Sequence, residues 1–286
     1  MNQKNVKNKA VLVTGCSSGI GQHVAQRLHD SGYQLIASAR NPEDVETLIK
    51  KGLTAIELDL DDSHSIQNAV EKTLSMTNGQ LYALFNNGAY GQPGAVEDLS
   101  RDVLRAQLET NVLGWHELTN LIIPVMRAQQ QGRIIYNSSV LGFAAMAYRG
   151  AYNCSKYALE GLVDTLRQEL KGTGIYLSLI QPGPILSSFR ENAVRKFYEN
   201  IDWQQSFHKP QYEAMQERLN TKGPAAPFTL PPEAVHKRVV HALESRRPKI
   251  RYPVTVPTYA FAFLKRILSH RALDKVLLKA SGDGKR

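Results

Sequence analysis

Residues 152–156 read Tyr-Asn-Cys-Ser-Lys. A tyrosine and a lysine four residues apart on a helix share one face, with Cβ atoms roughly 5–6 Å apart. Such a pair can transfer protons. A phenol has an ordinary pKa near 10, so acting as a base near pH 7 needs a shift of about 3 units, or roughly 4 kcal/mol. One ammonium at ~5 Å supplies about 3 kcal/mol at an effective dielectric of ~20. Lys156 is therefore expected to activate Tyr152 as a general acid/base. A chain of this composition holds about 0.7 such pairs by chance. The bland alternative is a buried Tyr beside a surface Lys. Context decides against it, because Ser139 ends the strand before this helix and can hold a substrate oxygen.

A second cluster opens the chain. Residues 14–21 read Thr-Gly-Cys-Ser-Ser-Gly-Ile-Gly, after a predicted strand and at the start of a helix. Gly15 permits the turn, Gly19 lets the backbone approach a pyrophosphate, and Gly21 lets helix and strand pack closely. Ser17 and Ser18 add hydroxyls, and Ile20 enters the helix, whose N-terminal N–H groups attract anions. The spacing is G-x3-G-x-G rather than G-x-G-x-x-G. A glycine-rich turn without a ligand is the plain alternative. The second strand ends at Ala39-Arg40 with no acidic residue across 36–41. An acidic residue there would bond the ribose of NAD, whereas Arg40 suits a 2′-phosphate. NADP(H) is expected over NAD(H), unless Arg40 is only a solvated surface group. Asp59 can accept from an adenine amino group, Leu60 can flank its ring, and Asn86-Asn87-Gly88 gives adenosine a small-residue approach.

Short apolar runs at 10–14, 34–38, 54–60, 81–85, 133–137 and 175–181 read as strands. Helical patterns at 20–30, 42–50, 63–76, 100–130 and 150–171 separate them. The expected fold is α/β: a Rossmann-like doubly wound parallel sheet of about seven strands in a single domain. Ligands then bind beyond the strands' carboxyl ends. The catalytic domain is expected over 1–256, closed by a helix at 231–243 and a strand at 249–254. Within it, 187–227 is polar and aromatic, too long for a plain connection, and reads as a substrate loop or lid. A basic amphipathic helix is expected over 257–286.

These residues together resemble the short-chain dehydrogenase/reductase family over about 9–188. The resemblance rests on Thr14–Gly21, Asp59-Leu60, Asn86-Asn87, Asn111 in Glu-Thr-Asn-Val, Ser139, Tyr152, Lys156 and Pro182-Gly183-Pro184-Ile185. The 13-residue spacing to Tyr152 selects Ser139 over Ser138. It implies that Asn111 supports a water-linked proton relay to Lys156, and that Tyr152 and Lys156 also bind the nicotinamide ribose. It implies that Pro182 and Gly183 bind the cofactor and that Ile185 and Ser187 contact the carboxamide, where Thr is commoner at the last position. The family's Asn-Asn-Ala-Gly stands here as Asn86-Asn87-Gly88-Ala89, which puts the backbone path toward Tyr90 in question. Gly-Pro-Ile after Pro182, and Lys-Ile-Arg-Tyr-Pro-Val at 249–254, look like the retinol/steroid dehydrogenase-like branch. The nearest likeness is to bacterial NADP-dependent aldehyde reductases of broad specificity. That implies hydride transfer to apolar aldehydes or ketones, or oxidation of the matching alcohols, in a homodimer or homotetramer.

Hydrophobic residues make up 42% of 286, enough for a core and too many for a disordered chain. The net charge of +9 is uneven: 237–286 holds 13 Lys/Arg against 3 Asp/Glu, and the remainder is nearly neutral. That speaks against a nucleic-acid binder. Two cysteines are too few for a zinc site, so no metal is expected. The start of the chain has no secretory leader pattern, and a cytoplasmic location is the default. Tyr90, Leu141, Ala145, Met146 and Phe189 are candidate substrate contacts, and each could equally be ordinary packing. In the tail, Ala260, Phe263, Leu264, Ile267 and Leu268 are expected on one apolar face among basic residues. It would touch a membrane surface peripherally, or else pack over the pocket or a partner subunit. The rival to an enzyme is a protein that senses NADP(H) without turnover.

Overall fold

The computed structural model describes residues 9–219 and 226–282. Residues 1–8 and 283–286, at the two ends of the expected domain and tail, lie outside the described residues, as does 220–225 of the expected lid.

Seven parallel strands form one sheet in the order β3-β2-β1-β4-β5-β6-β7. They are β1 (Ala10–Val13), β2 (Gln34–Ala39), β3 (Ala55–Glu57), β4 (Ala83–Asn86), β5 (Gly132–Asn137), β6 (Ile175–Gln181) and β7 (Arg251–Pro253). The order reverses between β1 and β4, so the crevice of the doubly wound sheet opens at that seam. Successive strand side chains point to opposite faces. In β1, Ala10 and Leu12 meet α3 (Ser63–Met76), α5 (Gly114–Ala128) and α6 (Gly150–Glu169). Val11 and Val13 meet α1 (Gly19–Asp30), α2 (Pro42–Lys50) and α9 (Glu233–Glu244). Burial on both faces explains the near-continuous apolar runs of the sequence.

Two elements differ from expectation. The pattern over 100–130 is not one α-helix. It is α4 (Arg101–Leu108), a π-helical turn (Glu109–Leu113) and α5. Periodicity could not reveal this, because a π turn keeps the helical direction while adding a residue to one turn. The tail is also two helices, α10 (Val256–Ile267) and α11 (His270–Ala280). Leu268 is extended, and the Ser269 hydroxyl caps α11 by accepting from the Ala272 N–H (3.4 Å). No Gly or Pro marks this break. The predicted tail face is split accordingly. Leu264 and Leu268 turn inward with the buried Phe261, Leu273 and Leu277, while Phe263 and Ile267 are exposed.

The 187–227 segment contains α7 (Phe189–Asn200) and α8 (Lys209–Leu219). Phe197, Ile201 and Tyr212 bury together against Ala95, which seats these helices beside the crevice.

Candidate active site

The glycine loop is held from beneath by β4. The Thr14 hydroxyl accepts from the backbone N–H of Asn87 (2.8 Å) and of Gly88 (2.9 Å). Asn87 Nδ2 returns a bond to the Thr14 carbonyl (2.9 Å), and Asn137 Nδ2 donates to Asn87 Oδ1 (2.9 Å). Gly15 has φ 67°, and a Cβ there would stand 2.4 Å from Gly88 Cα, so two backbones meet directly. At Gly21 a Cβ would reach within 2.1 Å of the Gly15 carbonyl oxygen. This close packing leaves the first turn of α1 open. Ser18 is its N-cap without a side-chain bond, and Ser17 is exposed beside it. Ser187 meets the loop from the other side, at 2.9 Å from where a Gly19 Cβ would lie. Free N–H groups and small residues here suit a pyrophosphate.

Arg40 is exposed just beyond β2, close enough to Asp61 and Tyr90 to act on their charge. Asp59 accepts from the Asp61 N–H (3.1 Å), and Leu60 lies against Gly88. Ile185 packs on the α1 layer, and the Pro182 carbonyl accepts from the Val140 N–H (2.8 Å). Gly183 fits against Thr255, where a Cβ would clash at 2.1 Å. Asn86 is fully buried and its side chain donates to the Thr119 hydroxyl (3.1 Å), facing the α5 layer, while the Asn87 side chain supports the loop.

Ser139, Tyr152 and Lys156 converge at the ends of β5 and α6. Ser139 stands beside the Tyr152 hydroxyl, close enough to favour its charged form, and its own hydroxyl accepts from the Leu141 N–H (3.1 Å). Ser138 points elsewhere, donating to Glu160 Oε1 (2.6 Å). Lys156 is 1% exposed, and its Nζ donates to the Asn137 carbonyl (2.8 Å). Burial pushes the Tyr152 hydroxyl above its ordinary range and pulls the Lys156 ammonium down to about 7. Both changes come from burial, which disfavours the charged form of each group. The Glu160 carboxylate acts the other way on Lys156 and favours its ammonium.

Asn111 sits in the π turn. Its Nδ2 donates to the Tyr90 carbonyl (2.9 Å) and to Ser155 Oγ (3.1 Å), and its Oδ1 accepts from the Tyr90 N–H (3.2 Å). Among the expected substrate contacts, the Phe189 ring stands edge-on to Tyr152 at 5.3 Å, and Tyr90 is tied to Asn111. Leu141 and Met146 join Tyr152 beneath the tail helices. Ala145 is not part of this group and is exposed.

Two residues near the site were not singled out from sequence. Glu160 is buried and accepts from Ser138, from Gln181 Nε2 (2.9 Å) and from Arg251 Nε (3.0 Å), joining β5, β6 and β7 to α6. Trp115 is fully buried, with its ring 4.3 Å from Lys156 Nζ and its Nε1 donating to the Gly88 carbonyl (2.7 Å). The i+4 spacing from Lys156 and from Asn111 was the available signal. Among the described residues no His, Cys, Asp or Glu cluster is placed to hold a metal ion.

The model of the family described as short chain dehydrogenase matches residues 9–197. The chain belongs to that family. It is 42% identical over 272 residues to an uncharacterized oxidoreductase of Escherichia coli (strain K12), YbbO, covering 95% of each chain. It is 31% identical over 260 residues to human 17-beta-hydroxysteroid dehydrogenase type 1, covering 86% of this chain and 77% of that protein. A short-chain dehydrogenase structure from Streptomyces avermitilis aligns with TM-score 0.73 at 24% identity, covering 98% and 97% of the two chains. The chain is thus an oxidoreductase of the short-chain dehydrogenase family with a single α/β domain.

Proposed function

We propose that this oxidoreductase uses NADP(H) to reduce aldehyde or ketone groups on apolar substrates, or to oxidise the matching alcohols. The observation that carries this reading is the convergence of Ser139 and a buried Lys156 on Tyr152, with Lys156 Nζ 5.6 Å from the Tyr152 ring centre, next to a loop at the first turn of α1. Gly15, Ser17, Ser18, Gly19, Ile20 and Gly21 would hold the pyrophosphate, and Arg40 a 2′-phosphate. When bound, the nicotinamide supplies or accepts the hydride. Ser139 holds the substrate oxygen, and Tyr152 gives that oxygen its proton or removes it. Lys156 favours the tyrosinate by its charge, and Asn111 orders the route by which the proton is replaced. The apolar reading rests on Leu141, Met146 and Phe189 around Tyr152, and is supported by relatives named for retinol and hydroxysteroid dehydrogenation.

The deciding experiment is an NADPH-consumption screen over aldehydes, ketones, retinoids and steroids. Turnover is expected with apolar carbonyls, and Tyr152→Phe should reduce kcat by about 100-fold or more while retaining cofactor binding. Full activity in that variant would falsify the mechanism. A chain that binds NADPH but turns over nothing in the panel supports a cofactor-sensing role instead.

Peripheral membrane contact belongs to the same proposal. Val256, Tyr259, Phe263 and Ile267 are all exposed along α10 at helical spacing, with Arg266 beside them. An apolar stripe flanked by cations suits an anionic lipid surface. No helix among the described residues is long and apolar enough to cross a membrane.

A further inference from the structure

We infer that Trp115 is a positioning residue that seats the catalytic ammonium: its buried indole face lies beside Lys156 Nζ, and its N–H fixes that ring to the Gly88 carbonyl. The inference rests on the proposed reading of Lys156 as the residue that activates Tyr152.

Lys156 is buried, and burial disfavours its charge. The groups around it differ in how much they return. On β5 the Asn137 carbonyl accepts one hydrogen bond. On its own helix, Tyr152 lies one turn back and Glu160 one turn on. The Glu160 carboxylate favours the ammonium but is already engaged by Ser138, Gln181 and the Arg251 guanidinium of β7, with Asp164 on Arg251's other side. Its field at Lys156 is therefore partly cancelled. On α5 the facing group is Trp115, with Tyr136 of β5 beyond it at 6.2 Å between ring centroids. An indole face attracts an ammonium and has no comparable attraction for a neutral amine, so it selects the charged form. It keeps the same character at every pH. Desolvated cation–π attraction corresponds to about one pKa unit.

Local structure aims the ring. The π turn holding Asn111 adds one residue, which rotates the following helix by about 100°. Gly114 lets that helix start against β3's end, where a Cβ would stand 2.1 Å from the Leu60 carbonyl oxygen. The indole N–H then reaches Gly88, the small residue whose Cα packs on Gly15. One ring thus spans from the glycine loop's support to the catalytic lysine. The Gly88-Ala89 order acquires a reason here. A Cβ at position 88 would come within 3.2 Å of Gly15 N and Leu60 Cδ1, so the backbone that receives the indole bond could not stay where it is without its neighbours yielding.

The test uses the full chain with NADP+ bound. Trp203 is the other tryptophan, so Trp203→Phe leaves Trp115 as the sole indole emitter. Its emission is expected to shift as Lys156 titrates between pH 6 and 9, and the shift should vanish in Lys156→Met. Trp115→Leu is expected to move the alkaline limb of kcat for carbonyl reduction about one unit lower, with KM for NADPH within about twofold of wild type. Trp115→Phe keeps a ring and should restore at least half of that displacement. A pH-independent emission, or an unchanged kcat profile in folded Trp115→Leu, overturns the inference. Should Trp115→Leu fail to fold, the emission titration and Trp115→Phe still decide. Absence of turnover in every protein including wild type counts against the functional reading, while the emission titration still judges the placement of the ring.

Discussion

Ser138 and Ser139 are adjacent in sequence but face different partners. Ser139 stands beside the Tyr152 hydroxyl, and Ser138 bonds a carboxylate that ties three strands together. The family resemblance singles out Ser139 by its spacing to Tyr152, and the structure sends the Ser138 hydroxyl to Glu160. The choice between Asn86 and Asn87 is not legible in the same way. Side-chain direction alternates along a strand, so which asparagine faces the crevice depends on where β4 ends. Burial is equally invisible in the motif. The sequence places Lys156 near Tyr152, but only packing reveals that both lose solvent and shift away from activation. Arg40 is the residue on which cofactor choice depends in our proposal. Arg40→Asp is expected to raise KM for NADPH at least tenfold and to lower KM for NADH, because a carboxylate repels a 2′-phosphate and bonds a ribose. Steady-state kinetics with both cofactors test this, and a wild type that prefers NADH removes the NADP(H) assignment.

At the scale of elements, hydrophobic periodicity located all seven strands and most helices. It failed where helices change character without a composition signal. The π turn at Glu109–Leu113 hides inside a continuous helical pattern, and the bend at Leu268 carries neither Gly nor Pro. In the tail, periodicity registers that apolar residues want cover without saying which side receives it. The structure turns Phe261, Leu264 and Leu268 onto Val140, Leu141, Phe143 and Met146, directly after Ser139. Phe261→Ala is expected to cost about 3 kcal/mol by cavity formation. The melting temperature should fall, and KM for long apolar carbonyls should rise more than KM for short ones, because Leu141 and Met146 lose their backing. A chain-length series with thermal melts checks both. Equal changes in KM at every chain length would show that the tail does not shape the substrate side.

At the scale of the whole molecule, the reversal of strand order between β1 and β4 brings distant motifs to one sheet edge. The glycine loop, Arg40, Ser139 and the Tyr152–Lys156 helix meet there although they span some half of the sequence. The uneven charge gains a location as well. Basic residues of the tail border an outward apolar stripe on α10, while the opposite side of the same helix packs on the body. Full-length protein is therefore expected to sediment with anionic vesicles at low salt and to be released as salt rises. Replacing Phe263 and Ile267 by Asp should abolish binding without altering turnover of a short, water-soluble aldehyde. Equal sedimentation of the double variant and the parent would rule out this face as the contact.

Cys16 lies within the glycine loop, fully buried, with its thiol directed to the Val13 carbonyl (3.1 Å) and its pKa raised to about 12 by desolvation. The nucleophilic form of a cysteine is the thiolate. At neutral pH this side chain stays a protonated, shielded thiol. If the proposed carbonyl chemistry holds, the protein carries sulfur at the centre of its glycine loop without offering electrophilic substrates a site of covalent attack. Its durability in the presence of such electrophiles is a property of packing around one small side chain.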